Sequence, residues 1–163
     1  MNNDLIMSLL DDIQFTYWQR RIPNKTTYDA VNMADTLFDK LISPGSLNIM
    51  DGKYNCVNEE WWDWILETFY GKRLKWTEMF DCDKFAIELK SFCNKLGVNS
   101  CGICLGWLTH PSGQKEYHAY NCYVNNDLEV FIVEPQRGTR TKVGKKGDVK
   151  LEDGKYNTSY IIL

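Results

Sequence analysis

Leu5, Ile6, Leu9, Leu10 and Ile13 recur at three- and four-residue intervals, which predicts a first helix over residues 4–14. Pro23 and Asn24 interrupt the pattern. Val31, Ala34, Leu37, Phe38 and Leu41 resume it, predicting a second helix over residues 28–41, capped by Thr26 or Thr27 and ended by Ser43, Pro44 and Gly45. Residues 46–58 are turn-rich and read as a linker. Asn58 then suits an N-cap, with Glu59 and Glu60 in a first turn where the helix dipole favours negative charge. A third helix over residues 59–70 carries Trp61, Trp62, Trp64, Ile65 and Phe69, and Gly71 stops it. The most regular stripe comes next: Phe85, Ala86, Leu89, Phe92, Cys93 and Leu96 share one helical face, with Asp81 as N-cap, Cys82 in the first turn and Gly97 as the close.

After Gly97 the period changes. Residues 98–108 read as a strand, and residues 109–115, with Pro111, Ser112 and Gly113, as a turn. Residues 117–124 and 128–134 read as the two arms of a hairpin around Asn125, Asn126 and Asp127. Residues 137–153, rich in Gly and Lys, read as a loop with room for a short strand, and residues 160–163 as a terminal strand. The expected architecture is α+β and papain-like, one domain over residues 1–163, with a helical part over 1–75 and a nucleophile-bearing helix plus antiparallel sheet over 76–163.

Composition narrows the function classes. Hydrophobic residues at 44% and charged residues at 25% are ordinary for a globular domain of 163 residues. A net charge of -3 gives nucleic-acid binding no global electrostatic support, and the basic stretch from Arg137 to Lys150 reads as a solvated loop. The N-terminus lacks the basic and apolar regions of a secretory signal, and no stretch reaches the ~20 apolar residues of a membrane span. The expected setting is cytoplasmic, with no membrane partner and with the six cysteines reduced and mostly buried. Cys101 and Cys104 form a single CxxC inside a strand pattern, which reads as buried thiols and not as a zinc or redox site.

Cys82 is the one cysteine placed at a helix start, where free N–H groups and the dipole stabilise a thiolate. Of the two histidines, His110 precedes Pro111 in a turn and His118 lies in a strand. If Asn125, Asn126 and Asp127 form the loop, Val124 pairs with Leu128 and His118 lies opposite Glu134 on the same face, with Cβ atoms roughly 5 Å apart. A one-residue slip would put Glu134 on the other face. In that arrangement Cys82 is a nucleophile, His118 its base and Glu134 the group that orients the imidazole. Taken singly, Cys82 and His118 are more often core residues, and Glu134 is equally a cross-strand ion partner. Trp76 is the candidate cleft wall, with Trp61, Trp62 and Trp64 read as core.

The segments Asp81-Cys82-Asp83-Lys84-Phe85-Ala86, His118-Ala119-Tyr120-Asn121 and Glu134-Pro135-Gln136 resemble papain-like and transglutaminase-like cysteine enzymes. They are most similar to the C-terminal cysteine-protease domain of a mushroom agglutinin, the fairy-ring lectin. The likeness covers residues 76–138. It implies a calcium-dependent cysteine protease with a Cys82–His118–Glu134 triad, and Ca²⁺ ligands at Asp81, Asp83 and Gln136, whose oxygens are of the right hardness. Asp81 and Asp83 are equally explained as an N-cap and a first-turn acid. The function this implies is a thiol hydrolase cutting peptide or isopeptide bonds in a protein or peptide substrate. The alternatives are acyl transfer to an amine and a non-catalytic protein-binding module. No lectin repeat is visible.

Overall fold

The computed structural model describes residues 22, 25–41, 45–71, 74–77, 81–144 and 149–163. The helix expected over residues 4–14 lies outside them. Strands dominate the rest. Before the first helix comes β1 (Thr26–Asp29), followed by α1 (Ala30–Lys40), β2 (Ser46–Asn48), β3 (Lys53–Cys56), α2 (Glu59–Gly71) and α3 (Cys82–Lys95). Then β4 (Cys101–Thr109), β5 (Lys115–Val124), β6 (Val130–Glu134), β7 (Thr139–Lys142), β8 (Val149–Leu151) and β9 (Gly154–Ile162) complete the chain.

The papain-like, helix-first α+β expectation is therefore corrected. Three strands lie within residues 1–75, which were expected to be helical, and the molecule is organised around a seven-stranded sheet in the order β2-β9-β4-β5-β6-β7, with β8 also on β9. The physical reason is length: β1, β2, β3, β7 and β8 are three or four residues each, too short to display a two-residue alternation. The linker at 46–58 thus holds β2, which adds to β9 in parallel, and β3, which pairs with β1 in a separate two-stranded sheet.

The helices form for local reasons. Asp29 caps α1 by accepting the Asn32 N–H at 2.8 Å, while Thr26 and Thr27, the expected caps, lie in β1. Asn58 caps α2 by accepting the Trp61 N–H at 3.1 Å. Along α3, the stripe Phe85, Ala86, Leu89, Phe92 and Cys93 is the buried face.

Both faces of the large sheet are covered. On one, Met33 and Leu37 of α1 and Tyr54 and Cys56 of β3 pack against Cys104, Tyr120, Cys122 and Ile132. On the other, Trp62, Ile65 and Phe69 of α2 and Leu89, Phe92 and Cys93 of α3 pack against Cys101, Tyr123, Phe131 and Val133. Residues 118–124 of β5 are consequently buried without interruption, as expected of a strand covered on both faces. Among the described residues no helix is long and apolar enough to cross a membrane.

Two details of register position the site. A bulge between Leu105 and Gly106 brings β9 close to β4, so close that a Cβ on Gly106 would lie 2.1 Å from the Asn157 carbonyl oxygen. The β5–β6 loop is also longer than expected. Asn125 N–H donates to the Glu129 carbonyl, the Asn125 side chain accepts the Asp127 and Glu129 N–H groups, and Leu128 takes φ 58°. Val124 therefore pairs with Val130 and not with Leu128.

Candidate functional site

That two-residue difference in register preserves the side-chain parity of β6, because side chains alternate with a period of two. Glu134 thus stays on the face of His118, diagonal to it where a direct partner was expected. The carboxylate still reaches: His118 Nε2 and Glu134 Oε2 are 2.6 Å apart, with both side chains buried. The second Glu134 oxygen accepts the Gln136 N–H at 3.0 Å, and Tyr156 donates its hydroxyl to Oε2 at 2.9 Å. The carboxylate is thereby fixed from three sides.

Cys82 begins α3, whose first turn lies against β5. Its thiol shares a hydrogen bond with His118 and receives the backbone N–H of Ala119. Since Nε2 of His118 is engaged by Glu134, Nδ1 is the ring nitrogen left for sulfur. The bond with His118 lowers the pKa of Cys82. Partial burial and the charge of Asp81 oppose that shift, and the Ala119 N–H and the imidazolium charge reinforce it. Burial disfavours the charged imidazole, but hydrogen bonds and charge from Cys82 and Glu134 outweigh it and push His118 up to about 10. The structure brings Cys82, His118 and Glu134 side by side in that order.

The remaining thiols differ in kind. Cys56, Cys93, Cys101, Cys104 and Cys122 are free and buried, whereas Cys82 is partly exposed. Burial pushes Cys56 up to about 11, and Cys93 and Cys104 well above the usual thiol range. His110 is elsewhere, with Nε2 3.1 Å from Glu116 and Nδ1 3.2 Å from the Asp153 carbonyl.

Asp81 occupies the N-cap position of α3 with extended dihedrals but makes no side-chain cap. It and Asp83 instead bind the Lys84 ammonium at 3.2 and 3.0 Å. A cation already sits between the two proposed calcium ligands, and among the described residues no three His, Cys, Asp or Glu side chains gather as a metal site. Gln136 lines a cleft of about 400 Å³ with Phe69, Tyr70, Phe85 and Arg137. Phe85 is one helical turn from Cys82 along α3. Trp76 is 60% exposed.

Three contributors escaped the sequence reading. Tyr156 joins Glu134 to Asp153, with its hydroxyl 2.7 Å from Asp153 Oδ2. Burial and the charge of Glu134 raise its pKa, so it stays a donor. Asn121 donates to the Ala86 carbonyl at 2.9 Å and the Gly102 carbonyl at 3.1 Å, tying α3 to β4. The Asp153-Gly154 pair, a turn signal between β8 and β9, could have pointed to the first two.

The family model for the agglutinin C-terminal domain matches residues 54–140, a span that includes Cys82, His118 and Glu134. Among solved structures, one described as a PSL1a-E64 complex matches with a TM-score of 0.62 and 24% identity, over 84% of this chain and 51% of that one. Polyporus squamosus lectin, bound to the human-type influenza-binding epitope Neu5Aca2-6Galb1-4GlcNAc, matches with a TM-score of 0.60 and 23% identity, over 84% of this chain and 49% of that one. The chain thus spans about half the length of each. No curated protein sequence matches the chain.

These matches overturn the expected function. The family model that matches is of an agglutinin domain, so the thiol-protease reading, its acyl-transferase alternative and its protein or peptide substrate are set aside. Kinship with papain-like or transglutaminase-like enzymes is not found either. The correction has a physical side: a Cys–His–Glu geometry fixes where a proton rests, and does not by itself name a reaction or a substrate. The match over more than half of its residues shows that this chain belongs to the agglutinin C-terminal family.

Proposed function

We propose that this chain is a domain of a carbohydrate-binding agglutinin. The observation that carries the reading is the family match over residues 54–140, supported by the fold it shares with a lectin bound to a sialylated trisaccharide epitope. Immobilised glycans test it directly. Retention of the folded chain on a subset of glycans, competed by the same free sugars, is the expected result. Failure to bind any glycan would remove the reading.

A second reading rests on a separate observation, the hydrogen-bonded series Cys82–His118–Glu134. The domain holds one activated thiol, with Cys82 as the nucleophilic atom, His118 as its proton partner and Glu134 as the positioning carboxylate. Labelling with iodoacetamide, read by intact mass, tests this independently of sugar binding.

A further inference from the structure

We infer that Asp153 is a neutral carboxylic acid in the folded chain at neutral pH, and that its hydrogen turns the Tyr156 hydroxyl towards Glu134. Asp153 is thereby a positioning residue for the Cys82 thiol. The protonation is independent of the glycan reading, and its effect on Cys82 rests on the thiol reading.

The Tyr156 hydroxyl lies 2.9 Å from Glu134 Oε2 and 2.7 Å from Asp153 Oδ2. Both are hydrogen-bond distances, and a phenol has a single hydrogen to give. That hydrogen stays on the phenol, since burial and the charge of Glu134 disfavour a phenolate. It fills one of the two contacts. The other needs a second hydrogen, because without one a buried carboxylate oxygen would face the phenol oxygen lone pair to lone pair.

The two carboxyl groups differ in what they receive. Glu134 accepts the Gln136 N–H on one oxygen at 3.0 Å and meets the His118 ring nitrogen with the other at 2.6 Å. Both contacts favour its ionised form. Asp153 has no such support. Its side chain is 4% exposed, and Oδ1 is buried with no hydrogen-bond partner among the described residues. Arg137, in the turn between β6 and β7, holds Nε 3.8 Å from Oδ2. That is too long for a hydrogen bond, and the Arg137 side chain is 59% exposed to screening water. His110, just after β4, meets the Asp153 backbone carbonyl and not the carboxyl group. The second hydrogen therefore sits on Asp153 Oδ2. It points at the Tyr156 oxygen, and the Tyr156 hydrogen points at Glu134. A hydroxyl that accepts and donates at once is polarised and donates more strongly.

Infrared spectra of the whole chain at neutral pH, unlabelled and with ¹³C in the aspartate carboxyl groups, read the proton. Asp153 is the buried aspartate among the described residues, so a protonated-carboxyl band should shift with the label and disappear in Asp153→Asn. Absence of that band in the wild type, or its persistence in Asp153→Asn, would overturn the inference. An unfolded aspartate ionises near ~3.9, so a fold that keeps the proton loses stability as pH rises above that value. The unfolding constant of the wild type, relative to Asp153→Asn, should rise by up to tenfold per pH unit between about pH 4.5 and 7. A flat or falling ratio would mean an ionised Asp153 and also overturn the inference. At Cys82, the asparagine amide N–H stands in for the acid O–H, whereas alanine supplies no donor. The iodoacetamide labelling profile of Asp153→Asn should superimpose on that of the wild type, and that of Asp153→Ala should move. Movement in both variants, or in neither, would remove the positioning role.

Discussion

Glu134 reaches His118 on the diagonal between β6 and β5, 2.6 Å from Nε2, and His118 in turn lowers the pKa of the neighbouring Cys82 thiol. The pKa of His118 is raised to about 10, above its unfolded value of ~6.5. The stability it contributes is therefore complete below about 6.5 and is lost as pH rises through about 10. Glu134→Gln removes the carboxylate charge and should pull the upper edge of that window down. Urea unfolding at several pH values between 6 and 10.5 would show the wild-type advantage over Glu134→Gln shrinking towards the alkaline end.

The Tyr156 hydroxyl lies 2.9 Å from Glu134 and 2.7 Å from Asp153, two buried carboxyl groups. Tyr156→Phe removes the hydroxyl that lies between them. A loss of about 1–3 kcal/mol in unfolding free energy is expected, the usual effect of stranding a buried polar group. Because Glu134 also loses a constraint, the pH at which Cys82 labels should move in the same variant. A merely structural tyrosine would lower stability and leave that pH unchanged.

Gly106 admits the β9 backbone at the bulge, where a Cβ would meet the Asn157 carbonyl oxygen at 2.1 Å. Backbone cannot rotate away as a flexible side chain can. Gly106→Ala should therefore cost at least the ~1–3 kcal/mol typical of overpacking, read from a thermal or urea midpoint. It should also disturb the row that carries Trp107 and Asn157, visible as a change in tryptophan emission.

Five of the six cysteines are buried and only Cys82 is partly exposed. Titration of the native chain with Ellman's reagent at neutral pH should modify one thiol rapidly, and denaturation should release the other five. Rapid modification of two or more native thiols would contradict the packing of Cys93, Cys101, Cys104 and Cys122 in the core.

What could be read beforehand divides along physical lines. The stripe of α3 was legible because one face of a long helix is buried and its period shows over fourteen residues. Asn58 was legible as a cap because the signal is local. The short strands were not, since three or four residues carry no period, and β2 and β9 associate across more than a hundred residues of sequence. The His118–Glu134 encounter survived a wrong loop length because a two-residue shift conserves the face. Tyr156 and Asp153 were hidden because only the closing of β8 and β9 onto β4 carries them to Glu134. The class of protein was misread from Cys82, His118 and Glu134, since side-chain geometry and biological role are separate properties.

The rate of Cys82 alkylation by iodoacetamide, measured from pH 5 to 10 in the wild type and in His118→Ala, tests the thiolate–imidazolium pair most directly. The account predicts rapid labelling of the wild type well below pH 8, and in His118→Ala a profile that moves up to an ordinary thiol near ~8.5. Two superimposable profiles, both centred near ~8.5, would contradict it.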